Sequence, residues 1–146
     1  MALINSTFTR QHRQCDAMFA DAEAAAAAGN WQQAEQDFSA FAAAMECHLG
    51  NEEEILFPAF EERTGMSAGP TMVMRDEHVQ IRGLIDEMKR DIEEQDTDHY
   101  LGISETLLIL MQQHNTKEEQ MLYVMCDRAL GSDQADQVLG KMKDIG

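Results

Sequence analysis

Cysteine is scarce in this chain and badly placed for chemistry. Cys15, Cys47 and Cys126 are odd in number, far apart and include no Cys-x-x-Cys, so neither a disulfide framework nor a thiolate zinc site is available. Scattered free thiols suit a reducing cytosol. Basic residues are also few: Lys and Arg number 11 against 27 Asp and Glu, a formal net charge of −16. Such a surface repels phosphate backbones and anionic lipid headgroups, which argues against nucleic-acid and membrane partners. No apolar run approaches the roughly 20 residues of a membrane span. The opening Met1-Ala-Leu-Ile-Asn-Ser-Thr7 lacks the charged start and apolar core of a signal peptide, so a cytoplasmic protein is expected. There is no Gly-rich phosphate loop, Ser-His-Asp set or Cys-His nucleophile, so hydrolase and nucleotide-binding readings have no support.

Proline is nearly absent as well, with two in 146 residues, while Ala, Glu, Gln, Met and Leu dominate, a composition that favours helix. The length suits a single domain over residues 1–146. Asn5-Ser6-Thr7 offers an N-cap for a first helix running to about Ala28, with an inward stripe of Phe8, His12, Cys15, Phe19 and Ala22. A second starts near Trp31 with the stripe Phe38, Phe41, Met45, His48, Glu52 and Ile55, and should kink or stop at Pro58. A third spans about Thr71–Glu94 through Met74, His78, Ile81, Ile85, Met88 and Ile92. A fourth, capped by Thr97 or Asp98, runs to about Ala129 through Ile103, Leu107, Leu110, His114, Glu118, Met121 and Met125. Gly131 stops it, and Ser132 caps a short last helix to about Lys143. The fold expected is all-α: an up-down-up-down four-helix bundle with a short additional C-terminal helix.

The polar residues in these stripes are not scattered. His48 stands four residues before Glu52, and His114 four before Glu118, a spacing that puts both side chains on one helix face. Sixty-six residues separate the two pairs, and the same 66 separate His12 from His78. One histidine in an apolar stripe is more often a core residue than a ligand. A carboxylate there is harder to dismiss, because burying it without a partner costs several kcal/mol. Four imidazoles and two carboxylates at one level of a bundle make a poor core without a cation. The donors suit iron, manganese or zinc. Six are too many for one tetrahedral zinc, and the repeat suggests two ions, each with two imidazoles, and carboxylates able to bridge. An oxo or hydroxo bridge would leave an open position on each ion for a small ligand.

His12, the His48-x-x-x-Glu52 pair with its Leu56-Phe57-Pro58 tail, Glu77-His78 and His114-x-x-x-Glu118 resemble the hemerythrin family in its HHE cation-binding branch. The resemblance covers about residues 8–126. It implies a bundle holding two non-haem iron ions, oxo- or hydroxo-bridged, with His12, His48, Glu52, His78, His114 and Glu118 as metal ligands and the glutamates as bridges. The oxygen carriers of the family have a further histidine where this chain has Met74, and a second bridging acid at the position of Glu119, so Glu118 and Glu119 both stand as candidates for that bridge. The four-histidine, two-glutamate set is closer to iron-sulfur-cluster repair proteins and to iron- or oxygen-sensing relatives, although the small Cys-containing N-terminal domain of many repair proteins is not expected here. The implied function is binding or sensing of a diatomic ligand (oxygen or nitric oxide) or of iron. The alternative is a redox enzyme or iron donor in nitric oxide or peroxide detoxification or cluster repair, so whether the chain is an enzyme stays open, as does a homodimer. Around the centre, Glu53, Glu54 and Asp76 are candidates to accept imidazole N–H bonds. Tyr123 is placed to hydrogen-bond near it, and His99 reads as a solvated residue at a turn.

Overall fold

The computed structural model describes residues 3–145 as helices joined by short turns. They are α1 (Leu3–Ala27), α2 (Trp31–Asn51), a π-helical turn (Glu52–Leu56), α3 (Phe57–Thr64), α4 (Pro70–Glu94), α5 (Thr97–Lys117), a second π-helical turn (Glu118–Leu122) and α6 (Tyr123–Lys141). Each π-turn joins the helices on either side into one rod, so the chain forms four long rods in an all-α bundle. The first packs on α2, α5 and α6, and α4 packs on α2 and α5. Gly131 breaks α6 with φ 72° and ψ 176°, a conformation that L side chains resist, and the short last helix comes after it as the sequence implies. No helix of the described residues is long and apolar enough to cross a membrane.

The stripes of the first and third rods are buried throughout, from Phe8 to Ala22 and from Met74 to Ile92. Those of the second and fourth slip after the glutamates, and in the fourth Ile103 and Leu110 are already only half-buried, with Ser104 and Met111 buried beside them. Met121, expected inside, is 62% exposed, and Ile55 is only half-buried, while Leu56, Phe57, Leu122 and Tyr123 are buried. The π-turns explain the slip. The Phe57 N–H reaches back to the Glu52 carbonyl and the Tyr123 N–H to the Glu118 carbonyl, five residues rather than four. Each turn therefore takes in one extra residue and rotates the remainder of its rod. Pro58 does not stop the second rod, and it does not cause the widening either, because the second π-turn carries Val124 in its place.

Two starts also differ from expectation. Helix α1 begins before Asn5, and its first turn is capped from afar: Asp127 accepts the N–H groups of Ile4 at 3.0 Å and Asn5 at 3.1 Å. The cap of α5 is Asp96, whose carboxylate accepts the His99 N–H at 3.1 Å, rather than Thr97 or Asp98. A nearby carboxylate at a helix start satisfies N–H groups that have no partner inside the helix.

Candidate metal centre

The core falls into two apolar clusters, one built on Phe19, Phe38, Phe41, Met88 and Leu107, the other on Phe8, Leu56, Phe57, Leu122 and Cys126. On every rod a candidate ligand sits at the changeover between them. His12 lies between Phe8 and Cys15, His48 between Met45 and Leu56, His78 between Met74 and Ile81, and His114 between Met111 and Leu122. The result is a buried polar layer in which all four histidines and both glutamates are at most 3% exposed. Met74 belongs to the apolar cluster beside this layer.

Inside the layer the imidazole Nε2 atoms converge on the two carboxylates. Glu118 Oε1 lies 3.0 Å from His12 Nε2 and 3.1 Å from His114 Nε2. Glu52 Oε1 lies 3.1 Å from His78 Nε2 and 3.6 Å from His48 Nε2. The six residues resolve into two overlapping groups able to hold a cation: His12, His48, Glu52 and Glu118, and His78, His114, Glu52 and Glu118. Within each, the ligand atoms lie within 4.8 Å of one another, and both carboxylates are common to the two. The Nε2 atoms of His48, His78 and His114, with Glu52 Oε1 and Glu118 Oε2, have no hydrogen-bond partner. A buried polar atom left in that state costs about 1–3 kcal/mol, and a bound cation removes the penalty.

Outside the layer every Nδ1 is held. His12 donates to Glu119 at 2.7 Å, His48 to the Gln11 amide oxygen at 2.7 Å, His78 to Glu53 at 2.6 Å and His114 to Glu77 at 2.8 Å. Fixing Nδ1–H outward fixes the tautomer and turns the Nε2 lone pair inward, the arrangement of metal-ligating histidines. Of the acceptors expected from sequence, Glu53 takes this role, whereas Glu54 and Asp76 are exposed. Gln11, Glu77 and Glu119 are acceptors that the sequence reading missed, although the 66-residue offset relates Gln11 to Glu77 and Glu53 to Glu119. Applying that offset to the neighbours of the histidines would have found them. The two candidates for the second bridge point differently: Glu118 faces into the layer and Glu119 holds an outer nitrogen.

Protonation reflects the crowding. Burial opposes charge on His12, but Glu118 and Glu52 inside and Glu119 outside outweigh it and push the imidazole up to about 9. His78 rises to about 9 against the same burial, through Glu52 and Glu53. Burial opposes charge on His114 too, and Glu118 leads the groups that raise it. His48 goes the other way: burial, helped by the other three imidazoles, holds it down to about 3 despite Glu52. Burial would raise Glu53, yet His78 and Arg82 bring it to about 2. Burial likewise opposes charge on Glu118, and His114 leads the groups that hold its carboxyl well below the usual range. The layer thus attracts positive charge.

Tyr123 enters the layer, as its place in the repeat suggests. Its hydroxyl donates to Glu52 Oε2 at 2.6 Å and stands 3.0 Å from both Glu118 Oε1 and His12 Nε2. Its counterpart, Phe57, stacks on His78 with ring centroids 5.8 Å apart. The thiols stay out: burial pushes Cys15 up to about 12 and raises Cys126 too, leaving both unreactive. Cys47 lies against the Lys143 and Asp144 carbonyls. His99 is exposed and bonded to Asp91 at 2.8 Å.

The profile of the hemerythrin HHE cation binding domain matches residues 3–143, nearly the whole chain. The chain belongs to the hemerythrin HHE cation-binding family. Comparison with curated proteins and with solved structures found no match. Membership and geometry agree on the coarse function, a helical bundle that binds metal cations in its interior.

Proposed function

We propose that the polar layer holds two iron ions, His12 and His48 on one, His78 and His114 on the other, with Glu52 and Glu118 shared. In this reading the protein is a single cytoplasmic domain over residues 1–146 that binds or senses oxygen, nitric oxide or iron itself. The observation that carries it is the convergence of four inward Nε2 atoms on two fully buried carboxylates, with every Nδ1 tied outward. Imidazole and carboxylate donors without thiolate suit iron. Two carboxylates reachable from both halves suit a pair of ions rather than one.

A pair of irons bound there supplies redox-active coordination positions for a small diatomic ligand. The protein's own part is structural and electrostatic. The outer partners hold each ring in the ligating tautomer. The π-turns carry the two carboxylates to the seam between rods. Phe8, Leu56, Phe57 and Leu122 close one side and keep water from the layer. Loading the metal-free chain with ferrous iron under anaerobic conditions and titrating it with nitric oxide or oxygen tests the reading. The expected result is a ligand-to-iron charge-transfer band that saturates in proportion to the iron bound. Consumption of nitric oxide or peroxide over many turnovers would assign the redox enzyme instead. Two bound irons with no spectral response to either gas would contradict diatomic binding.

A further inference from the structure

Resting on the two-iron reading, we infer that the Tyr123 oxygen is a ligand to the ion held by His12 and His48, and that the two metal positions are therefore unequal. A phenol has one proton to donate, and a carboxylate has none. Tyr123 spends its proton on Glu52 Oε2 at 2.6 Å, yet its oxygen also stands 3.0 Å from Glu118 Oε1. In the metal-free layer the His12 Nε2–H faces both oxygens, and a bound ion would take the place of that proton. The His12 Nε2 atom, at 3.0 Å from both oxygens, adds a third lone pair once its proton is displaced.

The distances suit a shared ion. Donors on adjacent corners of an octahedron about 2.1 Å from its centre lie about 3 Å apart. The separations among Tyr123 O, His12 Nε2 and Glu118 Oε1 are 3.0 Å each, the edges of one octahedral face. A tyrosine oxygen is a known kind of iron ligand. Binding replaces the hydroxyl proton with the ion, and that proton leaves to solvent. A bound cation also inverts the electrostatics that keep the phenol protonated beside two carboxylates.

Among the described residues no such donor stands in the other half. The repeat places Phe57 where Tyr123 stands, and Phe57 lays its ring on His78 without a polar atom. Tyr123 thus occupies a coordination position on one ion, and the position for an external ligand falls on the ion of His78 and His114, next to an apolar ring.

The chain has two tyrosines, which makes the test clean. Tyr100 lies in the other core cluster, against Trp31 and Phe38. The metal-free chain is loaded with two equivalents of ferrous iron, oxidised in air, and assayed for bound iron, visible absorption and resonance Raman scattering. The expected spectrum has a phenolate-to-ferric charge-transfer band with enhanced phenolate ring vibrations. Tyr123→Phe loses both while still holding two irons per chain, and Tyr100→Phe keeps both. The wild-type spectrum and Tyr100→Phe decide the matter even if Tyr123→Phe does not fold. Two irons in the wild-type chain without phenolate vibrations overturn Tyr123 as a ligand and leave the two-iron reading standing. Fewer than two irons overturn both.

Discussion

The half of the chain around residues 8–57 and the half around 74–123 carry the same inward donors and dress them differently. His12 matches His78, His48 matches His114 and Glu52 matches Glu118 at a constant 66 residues. Two of the four outer partners cross between halves. Glu119 of the second half holds His12 of the first, and Glu53 of the first holds His78 of the second. The likeness then fails at named positions. His48 leans on the neutral amide of Gln11, His114 on the carboxylate of Glu77. The second half has cations behind its acceptors: Arg82 bonds Glu53 at 2.8 Å, and Lys117 bonds Glu77. Tyr123 enters the first half-site, Phe57 the second. Equal donors set what the layer can hold, and unequal surroundings set how firmly each position holds it.

The largest effect should come from the residues that the halves share. Glu52→Ala or Glu118→Ala removes a carboxylate common to both groups, so each should drop bound iron from two per chain to one or none, as read by metal analysis of the loaded protein. The next effect separates the halves. Glu77→Gln gives His114 the amide partner that His48 has, and should weaken iron binding about 10–100-fold, the usual range for an outer partner of a ligating histidine. Gln11→Glu, the reciprocal change, should tighten binding at the first half-site. Competition with a coloured chelator measures both.

Smaller still are the helix starts. Asp127 caps α1, and its counterpart Glu61 accepts from Thr71 at 2.7 Å in the first turn of α4. Asp127→Ala should cost about 1 kcal/mol, typical of a lost cap, and lower Tm by several degrees without changing iron stoichiometry. The smallest concerns His99, whose counterpart Gln33 cannot titrate. Its bond to Asp91 raises the imidazole above its ordinary 6.5. A raised folded value contributes stability fully below the unfolded value and loses it as pH climbs through the folded one. His99→Gln should therefore be less stable than wild type near pH 5 and indistinguishable well above the raised value, by urea melts across that window.

Most of this architecture is legible in the sequence, because burial periodicity and the histidine repeat report on the same helices. The all-α bundle, the boundaries near Trp31 and Glu94 and the stop at Gly131 come from stripes, caps and glycine. The illegible parts have physical reasons. A π-turn leaves no mark in a 3.6-residue pattern until the phase has already shifted, so the pattern puts Met121 inside and Leu122 outside, the reverse of their burial. The cap of α1 is supplied by Asp127, more than a hundred residues away, and no local motif records that. The gathering of six side chains in one layer is legible, since a buried carboxylate in an apolar stripe demands a partner. The outer acceptors are half-legible: Glu53 stands beside Glu52, but Glu77 and Gln11 each precede another histidine than the one they hold.

That a repeated set of donors makes a centre for two ions is tested most directly by native mass spectrometry of freshly purified protein, with metal analysis of the same sample. The expected result is a species carrying two irons per chain, which collapses to the bare chain on chelation and falls to one iron or none in Glu52→Ala and Glu118→Ala. A chain that saturates at a single metal ion, with the same occupancy when either glutamate is replaced, would contradict it.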